Sequence, residues 1–204
     1  MFTTSVADSE GVRQLCNQAL SHLGITTPIT TLVDSSRESD SCTRFLSMSL
    51  DDVLQEFNWP FAKVVESLDK MPQTVLTWDY LYTYPSSAVN VWAVFDEGTT
   101  DTRFHQDFEV VYLEGTTKAI ASNNNTAYAE YTKRVVDPSI WSSKFVKSVS
   151  YYLAAQMAPQ LAGDKGKADE LMGTYKILIE ETKGVTNSQK PKQPKQKQGY
   201  VDIR

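Results

Sequence analysis

The stretch IWSSKFVKSVSYYLAAQMAPQLAGDKGKADELMGTYKILI, residues 140–179, carries the periodicity that decides the fold. Apolar side chains recur at Trp141, Phe145, Val149, Tyr152, Leu153 and Met157, and again at Ala168, Leu171, Met172, Tyr175, Leu178 and Ile179. Spacing by threes and fours puts each set on one face of a helix, so the stretch reads as two long helices joined by a tight turn. Gly163 suits the left-handed position that ends the first helix, and Asp164 can accept from the free N–H groups that begin the second. Asp137-Pro138 marks the entry to the hairpin. Pro159 has no N–H to donate, which predicts a kink or a frayed last turn. A hairpin of this kind cannot bury both apolar faces alone, and the other helix-period segments lie at the opposite end of the chain.

There, Ser9 to Leu23 reads as a helix with Val12, Leu15, Cys16, Ala19 and Leu23 on one side and Gly24 as its stop. Pro28 excludes helix from the connector Ile25 to Leu32, whose apolar residues can lie across a neighbouring surface. Asp34-Ser35-Ser36 with Glu38 reads as a second helix start, and that helix carries Cys42, Phe45, Leu46, Leu50, Val53, Leu54 and Phe57 before Pro60 ends it.

From Lys63 to Arg134 the period changes to two, and threonine, tyrosine and valine become common. Strands are predicted at Val75 to Tyr84, Val89 to Phe95, Phe108 to Leu113, Lys118 to Ala121 and Ala127 to Lys133. Turns are predicted at Pro85-Ser86-Ser87, Glu97-Gly98, Glu114-Gly115 and Asn123-Asn124-Asn125. No connection is long enough for a crossover helix, so antiparallel meander pairing is expected. The fold class that follows is α+β: a four-helix bundle of two N-terminal and two C-terminal helices, an inserted antiparallel β domain, and a flexible C-terminal arm. The boundaries are 1–62 for the first helical half, 63–135 for the β insertion, 136–184 for the second helical half and 185–204 for the arm.

Composition limits what such a molecule does. A net charge of -5 over 204 residues argues against a whole-molecule grip on nucleic acid, which calls for a positive face. Two cysteines, Cys16 and Cys42, both on predicted helix faces, make no disulfide framework and point to a reducing folding compartment. The start MFTTSVADSEGV has neither a basic leader nor an apolar core, and no run of about 18 apolar residues occurs, so neither signal-directed export nor a membrane span is expected.

The segment 185–204 differs from the rest. It holds Lys190, Lys192, Lys195, Lys197 and Arg204 against the single acid Asp202, with Pro191 and Pro194 among repeated glutamines. Such a composition does not bury enough apolar area to offset its ordering entropy, so an extended arm is expected. Tyr200, Val201 and Ile203 are of a different kind and could add as a strand or dock in a partner's groove. A purely phosphate-binding arm has no use for them, which favours assembly. The partner-binding residues expected here are Lys190, Lys192, Lys195, Lys197, Tyr200, Val201, Ile203 and Arg204.

No catalytic pattern stands out. The only histidines are His22 and His105. His22 at a helix end reads as solvated or capping. A zinc site from Cys16, His22, Cys42 and His105 lacks any short-range ligand pair. His105 beside Asp107 suggests a base and its orienter, but alternate residues of a hairpin more simply share a solvated face. Asp51, Asp52 and Glu56 are expected on the polar side of the second helix, and Glu180-Glu181 at the close of the fourth. No GxSxG, phosphate-binding glycine loop or HExxH occurs. Trp78, Tyr80, Tyr82 and Tyr84 share one strand face, a stripe read as core before it is read as a stacking platform or a protein interface. No catalytic, cofactor or metal residue is assigned.

The order of three segments is informative. Ala19-Leu20-Ser21-His22-Leu23-Gly24-Ile25-Thr26-Thr27-Pro28-Ile29-Thr30-Thr31-Leu32, then Trp59-Pro60-Phe61, then Tyr84-Pro85 leading into Val89 to Val94, resemble the tail tubular protein A family of short-tailed phages. The hairpin Trp141 to Leu171, with Leu153-Ala154-Ala155 and Leu161-Ala162-Gly163-Asp164, is similar to that family's closing helices. The likeness runs to about Lys183. It implies a structural head-to-tail adaptor, not an enzyme: a ring, commonly of twelve copies, docked under the portal protein and above the tail nozzle protein, with DNA passing through unbound. It implies the virion tail as location, with assembly in the host cytoplasm, no cofactor, and a C-terminal arm reaching the portal or a sister subunit. The alternatives are a carbohydrate-cleaving tail enzyme using a carboxylate pair and a DNA-binding accessory protein using the lysine tail.

Overall fold

A computed structural model describes residues 6–73, 75, 77–96 and 106–189. Among these the chain is α+β, with four α-helices and two antiparallel sheets. Helix α1 spans Glu10–His22, capped by the Ser9 hydroxyl, which accepts from the Val12 N–H, and stopped by Gly24 at φ +80°. Asn17 then fastens the connector: its side chain donates to the Ile29 carbonyl at 3.1 Å and accepts the Ile29 N–H at 2.8 Å. One amide thus satisfies both backbone groups of a residue that Pro28 keeps out of helix. Helix α2 spans Arg37–Glu56, with Ser36 as its cap.

The helical hairpin has the expected joint. Helix α3 spans Ser143–Leu161 and helix α4 spans Lys165–Gln189. Gly163 sits at φ +65°, and Asp164 Oδ1 accepts from the Gly166 and Lys167 N–H groups. Two details depart from the sequence reading and one narrows it. Asp137-Pro138 opens a 3₁₀ turn, Pro138–Ile140, and Ser142 caps α3 itself. The turn beyond Pro159 is not frayed, because the Ala162 N–H donates to the Ala158 carbonyl at 2.9 Å. Helix α4 continues through Gly184 to Gln189, so the boundary expected at residue 185 falls inside a helix. Gly184 permits helix even though it does not favour it.

Helix α3 is the element on which the other three converge: it packs against α1, α2 and α4, while α1 and α2 touch each other only slightly. One apolar face would not serve three neighbours. Accordingly Phe145, Val149, Leu153 and Met157 are buried, but so are Ser148, Ser150, Ala154, Ala155 and Ala158. Small side chains on those further faces let neighbouring backbones approach, and the two serine hydroxyls donate back to the Lys144 and Lys147 carbonyls. An aromatic group closes the end of this core nearest the sheets, with Trp59, Phe61 and Trp141 each in contact with the Phe145 ring.

The described residues form seven strands: β1 Lys63–Ser67, β2 Lys70–Met71, β3 Tyr80–Thr83, β4 Ala88–Phe95, β5 Phe108–Leu113, β6 Thr117–Ser122 and β7 Tyr128–Lys133. Pairing is antiparallel throughout but is not a meander: one sheet runs β1-β7-β4 and the other β2-β3-β6-β5. Strands β1 and β2 were not anticipated, and the strand expected from Val75 begins at Tyr80, with Val75 making only an isolated bridge to Trp78. The reason for pairing the first strand with the last lies in the helices. The insertion leaves α2 and returns to α3, which pack together, so its two ends are neighbours before any strand forms. The hairpin β5–β6 turns at Glu114 and Gly115, both at positive φ, the geometry that matches strand twist. The Glu97-Gly98 turn lies outside the described residues.

A second core, built on Tyr82, Val94, Ile120, Ala129 and Tyr131, fills the β region. Of the tyrosine stripe, Tyr82 is fully buried, and Tyr80 and Tyr84 pack on the same core beneath the ammonium groups of Lys70 and Lys118. Those three tyrosines are core, with two cation–π caps on the rim, whereas Trp78 precedes β3, stands outside this core and donates its indole N–H to Glu109.

Candidate functional site

The residues expected to bind a partner, Lys190, Lys192, Lys195, Lys197, Tyr200, Val201, Ile203 and Arg204, lie outside the described residues, as does His105. Among the described residues no group of three or more His, Cys, Asp or Glu is placed to hold a metal ion. Cys16 and Cys42 are both free and buried, and Cys42 Sγ stands 3.7 Å from Met157 Sδ. The hydrogen bond with Cys42, reinforced by burial, pushes the Cys16 thiol up, away from the thiolate that nucleophilic or metal chemistry requires.

His22, read as solvated or capping, is the last residue of α1 and is half-buried. Its ring stacks on Tyr151 at 4.0 Å between centroids, and Nε2 lies 3.1 Å from the Ser150 hydroxyl, which places it in the contact between α1 and α3. Burial, and then the charges of Lys167 and Lys147, lower its pKa.

The carboxylates of α2 are also not a solvated face. Asp51 is paired with Arg134, at the end of β7, and Asp52 Oδ2 accepts from the Tyr152 hydroxyl at 2.9 Å. Only Glu56 is exposed. Glu180 and Glu181 are exposed as expected, Glu180 with Lys183 at 3.0 Å.

The Asp52–Tyr152 contact opens onto a groove between the end of α2, α3 and α4, with a volume of about 410 Å³. Its floor is a pair of phenols: Tyr152 and Tyr175 meet edge to face with centroids 4.9 Å apart. Its apolar walls are Met172 and Ile179, and its rim carries Glu56 and Glu180 together with Lys176 and Lys183. Tyr175 is only 5% exposed, yet its hydroxyl has no hydrogen-bond partner among the described residues. A buried hydroxyl without a partner costs about 1–3 kcal/mol, so it marks a place where an outside group gains by arriving.

Both phenols are held protonated. Burial and the hydrogen bond to Asp52 push Tyr152 up to about 12, while burial and the charge of Glu56 raise Tyr175. At neutral pH the groove therefore offers two neutral phenols between apolar walls, under a rim whose carboxylates and ammonium groups balance. The sequence carried one signal for it. Tyr152 and Tyr175 occupy apolar positions of the hairpin, where a phenol needs a hydrogen-bond partner that only the fold can supply.

No protein-family model matches the chain, and no curated protein matches it.

Proposed function

We propose that the chain is a structural head-to-tail adaptor of a short-tailed phage, a non-enzymatic ring component docked between portal and tail nozzle. In this reading the four helices act as one bundle, the two sheets form a domain inserted between its halves, and DNA passes through the ring without being held. The observation that carries it is the order of the three segments resembling the tail tubular protein A family. Supporting it, each falls at a joint of the fold: Ala19 to Leu32 ends α1 and crosses the helices, Trp59-Pro60-Phe61 links α2 to β1 and packs on Phe145, and Tyr84-Pro85 turns β3 into β4. Joints set the angle between bodies, which is what an adaptor must keep constant.

Charge distribution agrees. Residues 1–189 hold 15 Lys and Arg against 24 Asp and Glu, while residues 190–204 hold five against one. An acidic body repels passing DNA, and a basic arm supplies attraction to an acidic neighbour at high effective concentration once a ring begins to form. The test is the mass of the purified 22.9 kDa chain by light scattering, alone and mixed with a purified portal ring. Addition to the portal in a defined multiple of that mass is the expected result. A chain that ignores the portal at every salt concentration overturns the reading. Loss of a glycan-cleaving activity on changing one Asp or Glu would replace it with the enzyme reading.

A further inference from the structure

We propose that the outer edge of β5 is a pairing surface for a second copy of this chain. The two β5 strands run antiparallel about a two-fold axis at Val110 and join the two four-stranded sheets into one.

Edge strands invite pairing, and folds blunt them with charge, proline, bulges or shortness. Among the described residues the two sheets present four edges, and three carry such a device. Strand β1 begins with Lys63 and includes Glu66. Strand β2 is two residues long and is followed by Pro72. Strand β4 has two register shifts along its pairing with β7, and Gln106 bridges its Val94. Strand β5 differs. Its sequence FEVVYL holds no lysine and no proline, and all six residues pair with β6 without a shift. The one acid, Glu109, accepts from the Trp78 indole N–H at 3.0 Å. Tyr112, in contrast, is 65% exposed.

The hairpin decides which backbone groups face outward. The Thr116 N–H donates to the Leu113 carbonyl, so Leu113 turns its backbone toward β6, and alternation turns Val111 and Glu109 the same way. The N–H and C=O groups of Phe108, Val110 and Tyr112 therefore point away from β6, and no strand among the described residues receives them. A two-fold axis perpendicular to the sheet keeps each face continuous. Centred on Val110, it sets Phe108, Val110 and Tyr112 opposite Tyr112, Val110 and Phe108 of the second copy, so each outward group meets its counterpart. The side chains suit this register. Aromatic Phe108–Tyr112 pairs flank a Val110–Val110 pair on the face that Ile120 and Tyr82 share. On the other face Glu109 stands opposite Val111, so no like charges meet directly. The two Glu109 carboxylates become diagonal neighbours, each held by its own Trp78. Such a contact is isologous and closes as a dimer. It concerns the chain free in solution and stands or falls apart from the virion reading, whose ring needs a head-to-tail contact of another kind.

The experiment is sedimentation equilibrium of the full chain from micromolar to submillimolar concentration. The expected mass rises to twice 22.9 kDa. Tyr112→Lys, which sets an ammonium against Phe108 of the other copy and beside its own Lys118, should return the mass to that of one chain with the far-UV circular dichroism unchanged. A second variant fixes the register. In Val110→Cys the new thiol lies on the axis and should join its own counterpart under glutathione disulfide, whereas Val111→Cys should not; Cys16 and Cys42, both fully buried, do not compete. Three results overturn the proposal: a mass of one chain, or of more than two, at every concentration; a dimer that survives Tyr112→Lys; and cross-linking as fast through Val111→Cys as through Val110→Cys. A chain that stays single would leave the β5 edge to a strand of a different protein.

Discussion

Arg134 Nε donates to Asp51 Oδ1 at 2.7 Å, with side chains only 8% and 19% exposed, and Arg134 Nη2 reaches the Ser47 hydroxyl at 2.8 Å. This ion pair ties α2 to the first residue beyond β7. Beside it the Arg134 N–H donates to the Ser87 carbonyl, and the Lys133 N–H to that of Ala62. Replacing Arg134 by methionine keeps much of the volume but leaves Asp51 charged, poorly hydrated and without its guanidinium. A loss of about 2–4 kcal/mol is expected from denaturant midpoints. Asp51→Asn in the same background should recover part of it, because the stranded charge is then gone. Strictly additive losses would mean that the pair contributes nothing as a pair.

The stacked His22 makes stability depend on mild acidity. Its folded-state pKa lies below the ordinary 6.5, so between the two values the unfolded chain binds more protons than the folded one. Stability from this residue is complete above pH 6.5 and is lost as pH falls through the lowered value. His22→Phe keeps a ring against Tyr151 but cannot protonate. Urea melts taken from about pH 7 to 5 should show a falling midpoint for the natural chain and a flatter one for His22→Phe. Equal slopes would remove His22 from the account.

At the alkaline end the sign reverses. Tyr152 titrates near 12 instead of 10, and Tyr175 is raised as well. Between pH 10 and 12 the folded chain holds protons that the unfolded chain has released. Stability from Tyr152 is therefore whole below pH 10 and is lost as pH rises toward 12. Among the ten tyrosines of the chain, a late fraction should appear in the phenolate absorbance, and Tyr152→Phe should shrink it. A single titration at the ordinary value would show both phenols to be solvated.

Local signals were readable in the sequence wherever one residue decides the geometry. Gly24 and Gly163 take the left-handed angles expected, and Asp164 caps as expected, because these choices depend on neighbours within a turn. Positions decided by distant contacts were not readable. Strand β1 is KVVES, short and mostly exposed, with no alternation to read, and it exists because β7 returns beside it. Asp51 and Asp52 have the chemistry of a solvated face, and only Arg134 and Tyr152, 83 and 100 residues away in sequence, make them internal partners. The groove was hidden for the same reason: its phenols read as core, and its carboxylate belongs to another helix.

Three glycines of the helices separate packing from propensity. An alanine in a helix is ordinarily worth about 1 kcal/mol over glycine. A Cβ at Gly173 or Gly184 of α4 would meet no atom of the described residues within 4 Å, so Gly173→Ala and Gly184→Ala should each stabilise by roughly that amount, raising Tm by about 2–4 °C for a chain of this size. At Gly11 in α1 the same methyl would lie 2.6 Å from Pro138 Cβ and 3.1 Å from its Cγ. Pro138 belongs to the 3₁₀ turn that leads into α3, and its ring cannot rotate aside as a flexible side chain would. Relieving the overlap requires moving α1 against that turn, at a cost of about 1–3 kcal/mol that outweighs the gain in propensity. Gly11→Ala should therefore lower Tm while the other two raise it, and thermal melts of the three variants side by side decide the matter. A rise in all three would mean that the contact between α1 and the Pro138 turn is loose enough to admit a methyl group, and that Gly11 is not what sets the approach of the two.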